Sequence, residues 1–194
     1  MLLILFSIIF LKTSTKADPL LIKTNNGYVN GISVAINETI TINKWIGIPF
    51  AEKPINDLRF KRPVPIQNWS NIINATSEKP SCYQSSNSKK ISEDCLYLNI
   101  YKKDNSGSNL PVIIWIHGGG FTIGSATDED PIIFVSETSL IYVSISYRLS
   151  IFGFLNMGLE DAPGNMGLLD QYLAIKWIYE NIQYFGGDKE KITV

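Results

Sequence analysis

One segment of the sequence combines residue types that could do chemistry, the run WIHGGGFTIG from Trp115 to Gly124. It contains the only histidine of the 194 residues, His117, followed by glycines at 118, 119 and 120. Such residues occur in three kinds of site: a histidine base beside a nucleophile, a glycine-rich phosphate loop, and a loop whose backbone amides bind an oxyanion.

The glycine spacing argues against phosphate binding. A dinucleotide-binding motif needs a third glycine at position 123, where the chain has Ile123, and Gly124 comes one residue late. A P-loop needs a lysine after its last glycine, and Ser125 and Ala126 follow instead.

A base role for His117 is also disfavoured. The chain contains no G-x-S-x-G segment, so no serine is placed on a strand-to-helix turn for a histidine to activate. A purely structural histidine at a strand end is the simplest alternative, but it does not explain three glycines. Glycines without Cβ atoms let successive N–H groups point into one cavity, as in the oxyanion loops of esterases. On this hypothesis His117 shapes the loop and transfers no proton.

The surrounding segments predict the elements that position this loop. PVIIWIHG and LIYVSISYRL are nearly continuous apolar runs, typical of strands buried on both faces, and LYLNIY predicts another strand. GLLDQYLAIKWIYENIQYFGG predicts an amphipathic helix ending at Gly186 and Gly187. Its predicted apolar face consists of Leu168, Tyr172, Ile175, Ile178, Ile182 and Phe185.

The order of these segments predicts an α/β fold. Residues 20–50 alternate short apolar runs with Asn-Gly turns, which predicts a small antiparallel β region leading into a mostly parallel central sheet. Residues 51–69 are proline-rich and predict a covering loop. The last residues predict a strand that begins at Ile192, so we expect the chain to be a fragment cut within a strand.

Composition excludes some functions and favours export. The formal charge is −1 with scattered basic residues, which argues against nucleic-acid binding. The apolar run Leu2–Leu11 is shorter than the roughly 20 residues of a membrane span and predicts a signal peptide over residues 1–17, with Thr15 and Ala17 at a small-residue cleavage site. No basic residue precedes the run, and a buried N-terminal strand or helix is the alternative.

Glycosylation motifs and cysteines agree with an oxidising compartment. Asn37, Asn68 and Asn74 each begin an N-glycosylation sequon. The only two cysteines, Cys82 and Cys95, flank a polar loop that a disulfide would close, stabilising the fold by about 3 kcal/mol. Reduced buried thiols or a metal pair are the alternatives, although two cysteines and one histidine are too few for a structural zinc site.

Six segments in order resemble the type B carboxylesterases and cholinesterases. They are GIPFAEKP (47–54), LRFKRPVP (58–65), SEDCLYLNIY (92–101), WIHGGGF (115–121), YRLSIFGFL (147–155) and APGNMGLLDQYLAIKWIYENIQYFGGD (162–188). The resemblance implies an α/β-hydrolase fold for residues 18–194. It also implies a secreted serine esterase that acts on small-molecule carboxylic esters without metal or cofactor.

The resemblance assigns roles by position. Gly119 and Gly120 match the glycines whose amides form the family's oxyanion hole. Cys82 and Cys95 match its first disulfide. Two buried structural ion pairs are implied, and they join Arg59 with Glu93 and Arg148 with Asp170.

The resemblance also implies what these residues lack. In the family the nucleophilic serine follows the segment that ends this sequence, and the acid and histidine come later. We therefore expect residues 18–194 alone to hydrolyse no ester and to aggregate or remain molten. A binding or adhesion protein with a dead site on the same fold is the alternative function.

One branch of the family fits less well. Cholinesterases carry a tryptophan inside the first disulfide loop, where its ring binds a quaternary ammonium. Here Tyr83 is the only aromatic residue in that loop, and cholinesterases tend to have tyrosine in place of His117. The four tryptophans, Trp45, Trp69, Trp115 and Trp177, all lie outside the loop. The sequence therefore favours a general carboxylesterase.

Overall fold

A computed structural model of the chain describes residues 20–85 and 90–194. The strands are β1 (Leu21–Lys23), β2 (Tyr28–Asn30), β3 (Ile32–Ala35), β4 (Thr41–Pro49), β5 (Ile73–Asn74), β6 (Ser81–Cys82), β7 (Ile91–Ser92), β8 (Tyr97–Lys103), β9 (Leu110–Ile116), β10 (Ile141–Ile145), β11 (Asn156–Leu159), β12 (Ala162–Pro163) and β13 (Gly187–Thr193). The α-helices are α1 (Ile132–Glu137), α2 (Ser150–Phe154) and α3 (Met166–Asn181), and a 3₁₀ turn (Ile182–Phe185) follows α3.

The central sheet has six strands in the order β13-β9-β10-β8-β4-β3. Strands β13, β9 and β10 are parallel, whereas β8, β4 and β3 continue the sheet with antiparallel pairings. The connection from β9 to β10 passes through α1, and the connection from β10 to β13 passes through α2 and α3. The sheet is therefore an α/β sheet with an antiparallel half.

Two hydrophobic clusters cover the faces of this sheet. The larger one joins the sheet residues Ile100, Ile114 and Val143 to α3 through Ala174 and Ile178. The smaller one lies on the other face and packs α1 against β4, β8 and β10. Its buried members are Ile42, Ile46, Tyr101, Val135 and Tyr142. The sheet is thus the shared layer of both clusters.

The sheet departs from its predicted form in three respects. Strands β3 and β4 of the expected antiparallel region belong to the central sheet, and only β1 and β2 form a separate small sheet, with β5. In the described residues the central sheet is mixed rather than mostly parallel, because β8 runs opposite to both of its neighbours. Strand β13 begins at Gly187, five residues before the predicted start at Ile192, and pairs with β9.

The predicted apolar face of α3 is partly wrong. Leu168 and Tyr172 are 45% and 66% exposed, whereas the buried positions include Gly167, Asp170 and Ala174. The helix is rotated relative to the prediction because the carboxylate of Asp170 must face the arginine that neutralises it. The spacing of large apolar residues does not reveal a buried position that holds a small or charged residue.

The predicted ion pair between Arg148 and Asp170 is buried. The side chains of Arg148 and Asp170 are 3% and 0% exposed, and Arg148 Nη2 lies 2.8 Å from Asp170 Oδ1. Arg148 also donates from Nε and from its backbone N–H to Asp170 Oδ2. Its Nη1 donates to the carbonyl of Lys61. Burial raises the pKa of the Asp170 carboxyl, and the hydrogen bonds and charge of Arg148 oppose that rise.

The second predicted pair forms but is not buried. Arg59 Nη2 donates to Glu93 Oε1 at 2.8 Å, yet the two side chains are 42% and 21% exposed. The prediction of two buried pairs is therefore wrong for this one. Arg59 directly follows a surface 3₁₀ turn, Asn56–Leu58, so the solvent reaches its guanidinium.

We expect Asp170→Ala to destabilise the full-length protein by about 3–5 kcal/mol, because it leaves the buried Arg148 charge without a partner. Glu93→Ala removes the same kind of partner from a hydrated arginine and should cost much less. Urea unfolding followed by circular dichroism measures both losses. Equal losses for the two variants would contradict the different burial of the pairs.

Candidate active site

The glycine loop, which we define as residues 117–124, leaves the carboxyl end of β9. Gly119 and Gly120 have φ angles of 110° and 59°, in the region that favours glycine. A Cβ atom at Gly119 would lie 2.0 Å from the carbonyl oxygen of Ile123, so position 119 needs glycine for space as well as for φ. Neither constraint applies to Gly118, because its φ is not positive and a Cβ atom there would have no other atom within 4 Å.

Hydrogen bonds inside the loop orient one of its peptide groups. The backbone N–H groups of Thr122 and Ile123 donate to the Gly119 carbonyl at 3.1 and 3.2 Å, and Thr122 Oγ1 donates to it at 3.0 Å. In a trans peptide the C=O and the following N–H point in opposite directions. The N–H of Gly120 therefore points away from this turn.

The amides of Gly119 and Gly120 have no protein acceptor among the described residues. Both glycines are exposed at the end of the parallel strands. Two neighbouring N–H donors without an intramolecular partner are the arrangement that can bind an anion or an oxyanion.

The side chain of His117, the first residue of the loop, packs against the loop's own backbone at Gly118 and Gly124. This side chain is buried, and its ring stacks on that of Tyr147 with centroids 4.4 Å apart. Its Nδ1 lies 2.9 Å from the Gly118 carbonyl oxygen and donates to it, since a carbonyl can only accept. The Tyr147 hydroxyl donates to the His117 carbonyl at 2.9 Å, and burial raises the pKa of this phenol, so that it keeps its proton.

Phe121 connects the loop to α2. Its carbonyl accepts a hydrogen bond of 2.7 Å from the backbone N–H of Ser150, the first residue of α2. The Phe121 ring lies 5.0 Å from that of Phe154, centroid to centroid. Both Phe121 and Ser150 have positive φ angles, of 62° and 51°. This contact therefore keeps two non-glycine residues in the left-handed region.

The predicted cysteine pair is a disulfide between Cys82 and Cys95, with an S–S distance of 2.05 Å. Part of the segment that it closes, residues 86–89, lies outside the described residues. Tyr83 packs against Phe152 of α2 with ring centroids 4.9 Å apart. The disulfide loop thus contacts the same helix as the glycine loop.

The four tryptophans serve other contacts. Trp45 and Trp177 are buried, and their Nε1 atoms donate to the Leu20 carbonyl and to Asn26 Oδ1. Trp69 Nε1 donates to the Tyr28 carbonyl. The remaining one, Trp115, packs with the cluster around α1.

The sequon asparagines Asn37, Asn68 and Asn74 are all exposed. Enzymes that attach glycans can therefore reach each side chain, and glycosylation stays a prediction. The predicted signal peptide, residues 1–17, lies outside the described residues. In residues 20–85 and 90–194, no helix is long and apolar enough to cross a membrane.

Sequence reasoning missed three residues that hold the glycine loop: Gln84, Tyr147 and Ser150. Tyr147 and Ser150 lie inside the YRLSIFGFL segment, and its resemblance to the family was the only sign in the sequence that these two residues matter. Gln84 gave no signal, because its contact with the glycine loop joins segments forty residues apart. Among the described residues, no group of three His, Cys, Asp or Glu side chains is placed to bind a metal ion.

A parallel β13-β9-β10 core with helical crossovers, an antiparallel half and a glycine loop after β9 agrees with the α/β-hydrolase fold, in which such a loop follows a central strand. The chain belongs to the carboxylesterase family, whose model, described as "Carboxylesterase family", matches residues 18–194.

The relatives that the chain matches include proteins named acetylcholinesterase and proteins named carboxylesterase. Acetylcholinesterase of Bungarus fasciatus is 41% identical over 196 residues, which cover 92% of this chain and 32% of that protein. Acetylcholinesterase 1 of Caenorhabditis elegans is 45% identical over 171 residues, covering 79% and 28%. Carboxylesterase 5A of Canis lupus familiaris is 40% identical over 195 residues, covering 92% and 34%. The chain therefore spans about a third of the length of the curated relatives that it matches.

We expect Ser150→Gly to stabilise the full-length protein by about 1 kcal/mol, because a non-glycine residue in the left-handed region is strained by roughly that amount. Ser77→Gly is the matched control: Ser77 is also exposed, but its φ is not positive, so the added chain freedom should lower stability slightly. Thermal unfolding measures both changes. A loss of stability for Ser150→Gly would show that the serine side chain matters more than backbone strain.

Proposed function

We propose that this chain is the amino-terminal part of a secreted serine carboxylesterase. The observation that supports the proposal most directly is the pair of amides at Gly119 and Gly120, which have no acceptor among the described residues. The turn at the Gly119 carbonyl orients the N–H of Gly120. Residues 1–17 are the proposed leader, and residues 18–194 the amino-terminal part of the catalytic domain. The disulfide and the exposed sequons agree with export.

The proposed reaction is acyl transfer in two steps. A serine attacks the ester carbonyl carbon while a histidine takes the proton of its hydroxyl, and the N–H groups of Gly119 and Gly120 donate to the carbonyl oxygen as it becomes an oxyanion. The alcohol leaves with a proton from this histidine, and water activated by the same histidine then hydrolyses the acyl-enzyme. This chemistry needs no metal or cofactor.

The nucleophile, the acid and the base are not among these 194 residues in this proposal. No G-x-S-x-G occurs, and the single histidine is buried against Tyr147. The role proposed for His117 is to shape the glycine loop. The three catalytic groups come from residues beyond Val194, and residues 18–194 alone should hydrolyse no ester.

The alternative, a binding protein with a dead site, predicts an intact loop without turnover. Nothing in the described residues favours it. It would follow if the segment after Val194 carried another residue in place of the nucleophilic serine.

Gly119→Ala should lower kcat of the full-length protein by about 100- to 1000-fold, the usual effect of losing one oxyanion donor. A methyl group at this position collides with the Ile123 carbonyl and turns the peptide. Gly118→Ala is the control, because the same methyl group there meets no atom within 4 Å. Steady-state hydrolysis of p-nitrophenyl acetate measures both, and equal rates for the two variants would contradict the proposal.

Among substrates, we expect neutral esters to be preferred over choline esters. Tyr83, the only aromatic residue of the disulfide loop, packs against Phe152, and the tryptophans are engaged elsewhere. A quaternary ammonium would then lack the indole face that stabilises it by about 2 kcal/mol or more in a desolvated site. The test compares kcat/KM for acetylthiocholine and phenyl thioacetate. Comparable values would contradict this preference.

A further inference from the structure

We propose that Gln84 is a positioning residue, which fixes the glycine loop in the conformation that presents the amides of Gly119 and Gly120. This inference rests on the proposed esterase function. Gln84 lies in the disulfide loop, two residues after Cys82, and does not contact the reacting atoms in the proposed mechanism.

The side chain of Gln84 pairs with Gly124 as a neighbouring strand would. Gln84 Nε2 donates to the Gly124 carbonyl at 2.7 Å, and the Gly124 N–H donates to Gln84 Oε1 at 2.9 Å. Nε2 also donates to the Cys82 carbonyl at 3.1 Å. A carboxamide offers a donor and an acceptor side by side without charge, so Gln84 can make both bonds to Gly124 at once.

The pairing is protected from water. Gln84 is 8% exposed, and Gly124 is partly buried. Hydrogen bonds that are shielded in this way hold geometry better than exposed ones, because water does not compete for the same groups. Losing the side-chain amide would leave both polar groups of Gly124 without their partner.

The position of Gly124 determines that of the amides. Gly124 has a φ of 122°, and its Cα packs on the His117 ring so closely that a Cβ would lie 2.2 Å from Nδ1. The preceding residue, Ile123, donates its N–H to the Gly119 carbonyl. A shift of Gly124 therefore moves Ile123 and turns the peptide that carries the Gly120 N–H.

The other end of this contact is anchored to the sheet. Cys82 is bonded to Cys95, which is buried and lies two residues before β8. The disulfide and Gln84 thereby connect the far end of the glycine loop to the sheet. The near end is held by β9 and Tyr147.

The test uses the full-length protein with Gln84→Met, which keeps the volume of the side chain and removes both hydrogen bonds to Gly124 together with the one to the Cys82 carbonyl. We expect kcat for p-nitrophenyl acetate to fall about 10- to 100-fold, because a small displacement of catalytic groups costs up to that factor. KM should change less than twofold. The inhibition constant of a trifluoromethyl ketone, whose adduct needs the oxyanion donors, should rise in parallel with the loss of kcat.

Two further variants make the result specific. Gln84→Glu keeps the acceptor for the Gly124 N–H and loses the donor, so its kcat should also fall. This variant replaces Gln84→Met in the test if Gln84→Met is not secreted. Gln183→Met is the matched control, since Gln183 is exposed and its side chain has no hydrogen bond to the described residues. It should hydrolyse the ester at the parental rate.

The outcomes separate this inference from the proposed function. If the parent hydrolyses the ester and Gly119→Ala abolishes turnover, but the Gln84 variants keep kcat or change only KM, the positioning role is overturned alone. If the parent shows no turnover, the esterase proposal itself fails. If the parent is active and Gly119→Ala is equally active, the oxyanion role of the glycine loop fails, and the positioning role of Gln84 fails with it. A parallel loss in kcat and inhibitor binding without a change in KM supports the positioning role.

Discussion

The buried ion pair between Arg148 and Asp170 is the interaction on which the arrangement of this chain depends. Removing both charges from water is costly, and the geometry compensates with two side-chain hydrogen bonds and one from the backbone N–H of Arg148. The pair fixes α3 against the segment that follows β10. It also fixes the covering loop, because Arg148 Nη1 holds the Lys61 carbonyl.

The ion pair also helps to position the candidate active site, because one peptide bond joins Arg148 to Tyr147. Tyr147 precedes Arg148, so the ion pair sets where the Tyr147 ring and hydroxyl lie. The ring supports His117 by stacking, and the hydroxyl holds the His117 carbonyl at the end of β9. The start of the glycine loop is thus positioned by a charge pair that takes no part in the proposed chemistry.

The glycine loop itself presents two N–H donors, because His117 Nδ1 holds the Gly118 carbonyl and the turn at residues 122–123 holds the Gly119 carbonyl. The Gly119 carbonyl is turned inward by the amides of Thr122 and Ile123, and planarity of the peptide directs the next N–H the other way. Preorganised donors of this kind need no rearrangement when charge develops, which is why they stabilise a transition state more than water does. The loop is held from β9 and Tyr147, from α2 through Ser150, and from the disulfide loop through Gln84.

The sequence by itself determined the glycine loop, the central strands and the helix, because glycine conformation and strand burial are local properties of short segments. The resemblance, rather than any local property, paired Cys82 with Cys95. It also paired Arg148 with Asp170. Only the tertiary structure decided that Leu168 and Tyr172 face solvent, that Arg59 is hydrated and that Gln84 bonds to Gly124. Exposure and long-range hydrogen bonds depend on which segments meet after folding, and no periodicity within one segment contains that information.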